Sequence, residues 1–212
     1  EQKQYEQCVD FCDEIIEKND RHYPAFVMRQ EASYELGRAQ QTVNDYYAAI
    51  NIYPQHYKPY LVAAKVFFDY EQMEDAQGVL NRARENQVEF SLGMQFLEAR
   101  ILSRLATTEK DRGAVIKMIR EIREQAESGQ PHDIEDVSLL LFETALLHYD
   151  NRDLESALRY AKLAVKKKPD CCWYHYVLAR FYLQQEKWKK ALQECALAKG
   201  DYGDSPTLYY YM

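Results

Sequence analysis

Cysteine and histidine are the residue types in this chain best able to do chemistry, five of each among 212 residues. A thiolate and an imidazole can share a metal or activate a nucleophile, but only where the fold brings them together. Cys8 and Cys12 stand one helical turn apart, Cys171 and Cys172 are neighbours, and Cys195 is alone. Neither Cys-x-x-Cys nor a His pair at a turn's spacing occurs, so no local metal-ligand set is present. The cysteine count is odd and Cys8 and Cys12 fall at packing positions, which reads as reduced thiols of a cytoplasmic protein. A Gly-rich phosphate loop, a nucleophile elbow and a His-Glu-x-x-His helix are all missing. His148 and His175 stand among apolar residues, where core or groove lining is the expected role. The expectation is a chain with no catalytic residue, no metal and no cofactor, and so not an enzyme.

The elements that would position any site announce themselves by repetition. Cys8, Thr42 and Ala76 follow one another at intervals of 34 residues, and Ala157 and Ala191 repeat the interval. A fixed period in this range means stacked supersecondary units, because one helix pair cannot bury its apolar face alone. Units 23–56, 57–90 and 172 onward share one plan: an aromatic or Pro entry, an apolar helix, a polar turn, then a small residue opening a second helix. Pro24, Pro59 and Pro206 stand near helix starts, where a missing N–H costs little. Pro54 and Pro169 stand just past helices they could not extend. Leu139, Leu140, Phe142, Ala145, Leu146 and Tyr149 recur with helical rather than alternating spacing. Nothing predicts a strand.

Two irregularities interrupt the period. Arg29 and Gln30 occupy places that the other units fill with apolar residues. Ala76 and Ala157 lie 81 residues apart, 13 more than two periods of 34. The overlong unit is expected to hold a helix over 91–105 and a second, longer helix. That second helix opens with Thr108 and Asp111 as a capping box, carries Val115, Ile119, Ile122 and Ala126, and ends at Ser128-Gly129-Gln130-Pro131.

The pattern resembles the tetratricopeptide repeat. Tyr60, Ala63, Ala64 and Phe67 match that family's first-helix signature, as do His175, Leu178, Ala179 and Tyr182. Met73 with Ala76, Leu154 with Ala157 and Trp188 with Ala191 match its turn, and Pro54 and Pro169 its terminal proline. The resemblance implies an all-α α-solenoid of stacked antiparallel helix pairs in a right-handed superhelix, with about five to six repeats. It implies a single domain over 1–212: a partial repeat 1–22, repeats 23–56 and 57–90, a long degenerate repeat 91–137, repeats 138–171 and 172–205, and a partial repeat 206–212. Both ends read as cut, which makes the expectation an internal fragment of a larger protein.

The resemblance also implies a concave groove lined by the first helix of each pair. Carried over residue by residue, the groove holds Val27, Glu31 and Tyr34, then Lys58, Leu61, Lys65 and Phe68. Gln95, Ala99 and Leu102 follow, then Phe142, Leu146 and Tyr149. Trp173, Tyr176, Arg180, Leu183 and finally Tyr210 complete it. Tyr34, Lys65, Phe68, Phe142, Tyr149, Trp173, Tyr176 and Arg180 are the expected partner-binding residues, because rings and Arg dominate hot spots. The Lys and Asn clamp that grips chaperone tails is not matched, since its places hold residues such as Val27, Glu31 and Leu61. A hydrophobic or mixed peptide fits better.

Charge adds a second candidate surface. The net charge of −7 argues against a nucleic-acid backbone as the main partner. No apolar run approaches ~20 residues, so membrane insertion is not expected. Residues 158–199 nevertheless carry a net +7, leaving −14 elsewhere. Lys166, Lys167 and Lys168 form one basic knot and Lys187, Lys189 and Lys190 another. They read either as solvated faces, the first complementing a helix C-terminus, or as a docking edge for an acidic partner. Another copy of the chain would give weak self-association through the same edge. The function expected is a protein- or peptide-binding scaffold. Two alternatives remain: a peptide-sensing regulatory domain controlling an attached effector, and a substrate-presenting arm of an enzyme.

Overall fold

The computed structural model describes residues 2–128, 132–134 and 136–198. Among them stand eleven α-helices and no strand, in keeping with the all-α expectation. The first six are α1 (Gln2–Lys18), α2 (Tyr23–Glu35), α3 (Ala39–Ile52), α4 (Tyr57–Asp69), α5 (Met73–Glu85) and α6 (Leu92–Leu105). The remainder are α7 (Glu109–Glu127), α8 (Val137–Asp150), α9 (Leu154–Lys167), α10 (Cys172–Gln184) and α11 (Trp188–Ala198). They group into two compact units, α1 to α6 in one and α7 to α11 in the other. Gly129, Gln130, Pro131, Pro206 and Tyr210 lie outside the described residues.

Four hairpins close with the same turn. Gly37, Glu71, Arg152 and Glu186 take positive φ of 69°, 58°, 61° and 56°. Each stands five residues before the small residue of its second helix, Thr42, Ala76, Ala157 or Ala191. Each turn residue donates its N–H to the carbonyl three back, and its successor donates to the carbonyl five back. The pairs are Gly37 to Tyr34 at 2.9 Å with Arg38 to Ser33 at 2.8 Å, and Glu186 to Leu183 with Lys187 to Tyr182, both at 3.0 Å. These bonds satisfy carbonyls that a helix end leaves orphaned. Glycine reaches that backbone freely, whereas Glu71, Arg152 and Glu186 each carry a Cβ cost of about 1 kcal/mol.

The small residues then pack. Ala76 and Ala157 are fully buried, as are Ala64 and Ala145 on the facing first helices. Neighbouring hairpins are pinned by a polar contact. Tyr60 donates its hydroxyl to the Pro54 carbonyl at 2.8 Å, and His175 sets Nε2 at 2.9 Å from the Pro169 carbonyl. The spacing is six residues in both, so His175 performs the task of Tyr60. Its Nδ1 meets Glu194 at 2.6 Å. This pins a helix junction and leaves neither ring nitrogen open for other chemistry.

Arg29 and Gln30 are accommodated as a polar inset in the first unit. Arg29 binds Asp45 from α3 with Nε at 3.0 Å and the terminal guanidinium nitrogen at 2.6 Å, and also pairs with Asp13 of α1. Gln30, fully buried, donates Nε2 to the Pro59 carbonyl at 3.0 Å. Three consecutive helices are thus tied by one side chain.

The extra length of the overlong unit goes into α7, with 19 residues against 13 in α5, and into residues 128–136 before α8. The connection between α6 and α7 is short, and the capping box of Thr108 and Asp111 is present. Asp136 and Asp153 cap α8 and α9 through the N–H groups of Ser138 and Ser156. Hydrogen bonds from Thr108 hold the Asp111 carboxyl below its ordinary range, and those from Ser156 do the same for Asp153. At Asp136 burial pushes upward, but Lys168 and Ser138 outweigh it and the carboxyl titrates low.

A depressed folded pKa contributes stability above the unfolded value of about 3.9, and that stability is lost as pH falls through the folded value. Both tryptophans, Trp173 and Trp188, belong to the second unit, so their fluorescence reports its melting. The melting temperature should hold near neutrality and fall below about pH 4. In Asp136→Asn/Asp153→Asn the fall should be shallower. Parallel curves for the two proteins would mean that these caps do not set the acid limit.

Candidate binding surface

The predicted groove residues fall into two groups, one in each unit. In the second unit, Trp173, Tyr176 and Arg180 form a ladder along one face of α10. The Trp173 ring stacks on Tyr176 with centroids 5.1 Å apart, and the Arg180 guanidinium lies 5.9 Å from the same ring. The spacing of three and then four residues places all three on one helical face. Beside the ladder, Tyr149 of α8 stacks on Phe181 at 4.8 Å and accepts a hydrogen bond from Gln184 at 2.6 Å. Phe142 stacks on Tyr174 at 4.6 Å. Trp173 is 47% exposed and Leu183 43%, while Tyr176 and Phe142 are each only 3% exposed and belong to the core. Solvent therefore meets Trp173, Arg180, Leu183 and the edge of Tyr149, resting on a buried aromatic floor.

In the first unit the Tyr34 hydroxyl donates to Asp69 at 2.7 Å. Lys58 pairs with Glu31 at 2.9 Å. Phe68 is buried, with the Arg100 guanidinium 4.4 Å from its ring, and Lys65 is half-buried. Val27 and Ala99 also belong to the interior. Arg100, Phe181 and Gln184 were missed by sequence reasoning, because their roles come from a neighbouring helix and leave no periodic mark.

No family model matches the chain, and no curated protein matches it in sequence. Solved structures do match. The chain superposes on the Cut9–Hcn1 hetero-tetramer of the APC/C with a TM-score of 0.84, covering 99% of this chain and 39% of that one at 10% identity. A tetratricopeptide repeat protein from Parabacteroides merdae gives a TM-score of 0.70 at 11% identity, covering 99% and 77% of the two chains. YrrB, a TPR protein with an unusual peptide-binding site, gives 0.60 at 14% identity, covering 94% and 96%. The chain has the tetratricopeptide-repeat fold. At these identities the likeness is one of fold, and the first of these neighbours is much longer than this chain.

Other features of the chain bear on chemistry. All five cysteines are free thiols. Burial and the neighbouring Cys8 push the Cys12 thiol up to about 11, which keeps it protonated at neutral pH. Among the described residues no group of three His, Cys, Asp or Glu side chains is placed to hold a metal ion. No described helix is long and apolar enough to cross a membrane.

The lysines of the two basic knots have different surroundings, although Lys166 and Lys187 line one depression. Lys168 pairs with Asp136 at 2.8 Å, so its charge is neutralised locally. Lys190 lies 5.8 Å from the Tyr182 ring, and Lys189 is exposed on α11. Lys166 and Lys167 line a depression of about 540 Å³ against α7, and Lys187 lines another of about 480 Å³. Arg123, Arg159 and Lys162 join them from positions that the sequence reading did not single out.

Proposed function

We propose that the chain is a protein-interaction scaffold that holds a peptide of mixed apolar and acidic character against the first helices of its second unit. The observation that carries this reading is the ladder of Trp173, Tyr176 and Arg180. An indole half open to solvent rests on a buried ring, with a cation at the end of the file. An anchor of that kind offers large area at low entropic cost, since its rotamer is already set by stacking. Leu183 and Tyr149 extend the apolar path, and Arg180 orients an acidic group on the ligand. YrrB, of the same fold, is described by its peptide-binding site, which supports the reading without supplying the ligand.

The test uses Trp173 itself. In Trp188→Phe it is the sole indole, so peptides selected by display against the whole chain can be titrated by its emission. Saturable binding with a blue shift is the expected result. Selected peptides that bind without altering the emission would place the site elsewhere.

A further inference from the structure

We propose that the outer face of α9 is a second docking site, and that it takes an acidic segment of a partner protein carrying an apolar residue among its carboxylates. The proposal does not depend on the ladder of α10, which uses other residues. Arg159, Lys162, Leu163 and Lys166 recur at intervals that put them on one face of α9. Leu163 is 41% exposed on that face, between cations on either side.

Two depressions flank this stripe. One, of about 540 Å³, is walled by Arg123 and Glu127 of α7 and floored by Leu141 and Tyr160. The other, of about 480 Å³, runs past Leu158 and Lys162 to Gln185 and Lys187 at the turn before α11. Arg159, Leu163 and Lys166 line both, so they form the ridge between two adjoining troughs.

The charge of these walls is one-sided. Arg123, Arg159, Lys162, Lys166, Lys167 and Lys187 face only Glu127 and Glu155. Glu127 is already engaged with Arg123 at 4.0 Å. The arginines are also held in place. The Tyr160 ring has the Arg159 guanidinium at 4.9 Å and that of Arg123 at 5.8 Å, and it stacks on His148 at 5.3 Å. A guanidinium held on a ring loses little freedom when a carboxylate arrives, and its fork suits that group in two-point contact.

Charge complementarity specifies the occupant. A surplus of cations around an exposed leucine fits carboxylates flanking an apolar side chain, with that side chain seated in a trough beside Leu163. A nucleic-acid backbone fits less well. It gains nothing from Leu141, Leu158 and Leu163, and Glu127 and Glu155 would repel a continuous line of phosphates.

Fluorescence anisotropy of the whole chain with a synthetic, labelled Glu-rich peptide around one central leucine provides the test. Binding is expected, weakening about tenfold from low to physiological salt as screening grows. Replacing the peptide's leucine with serine should weaken it severalfold, and this comparison needs no protein variant. Arg159→Glu/Lys166→Glu should weaken it by more than about tenfold, and full-strength binding by that variant would place the peptide elsewhere and overturn the proposal. Equal affinity for the serine peptide would reduce the face to a solvated charge and overturn the proposal. So would tighter binding of duplex DNA of equal charge, or no binding of the leucine peptide. Concentration-dependent association of the chain, abolished by Arg159→Glu in sedimentation, would make the occupant a second copy and overturn the assignment to a partner.

Discussion

Arg29→Ala is expected to cost the first unit about 3–5 kcal/mol, the range for stripping one partner from a buried ion pair. Asp45 is only 1% exposed and receives two nitrogens of Arg29, so losing the guanidinium leaves a carboxylate without water or counter-charge. Gln41 donates to it at 3.1 Å, which is a neutral bond and cannot replace the cation. Burial already pushes the Asp45 carboxyl upward, against the pull of Arg29. Asp13 is about half exposed and can rehydrate when Arg29 is lost, so the damage centres on Asp45. Urea unfolding followed by circular dichroism should show the loss. Arg29→Leu/Asp45→Ala, with no charge left stranded, should recover most of it. A double variant as unstable as Arg29→Ala would show that the inset works through packing alone.

The second large effect separates the two stacked rings of α10. Tyr176→Ala removes a ring that is 3% exposed from the core of the second unit, and should cost about 3–5 kcal/mol of stability. Trp173→Ala removes a ring that is half in solvent, and should cost about 1 kcal/mol, the value of one aromatic stack. Their effects on peptide binding run the other way for the same physical reason. A bound peptide can touch Trp173 directly, so its loss should weaken binding by ~2 kcal/mol, some thirtyfold. A Trp173→Ala protein that melts normally and binds its selected peptide at full strength would remove the ladder from the interaction. A stable Tyr176→Ala protein would mean that the ring contributes little to the core.

Much of the fold was legible because the repeat is written in local rules. The 34-residue interval, the small residues Ala76, Ala157 and Ala191, and the prolines at 24, 54 and 169 all act within one helix or turn. Their consequences do not depend on what lies opposite. The capping box of Thr108 and Asp111 was readable for the same reason, since it closes over four consecutive residues. The surplus of 13 residues was countable, but its division between α7 and residues 128–136 was not, because helix length there is set by packing against α8.

The candidate surface was legible only in part. The spacing of Trp173, Tyr176 and Arg180 put them on one helical face. Which of them reaches solvent depended on how α8 and α10 lie together, and the same contact took Phe142 into the core. Arg29 and Gln30 looked like breaks in the pattern until Asp45, sixteen residues on, and the Pro59 carbonyl were set beside them. Lys166 and Lys168 are indistinguishable in sequence, yet one lines an open trough and the other is tied to Asp136. The chain by itself determined where helices start, turn and stop, since those steps are governed by neighbours within a turn or two. Only the tertiary structure decided which charge is neutralised and which ring is covered, since burial and pairing depend on what another helix brings within a few ångströms.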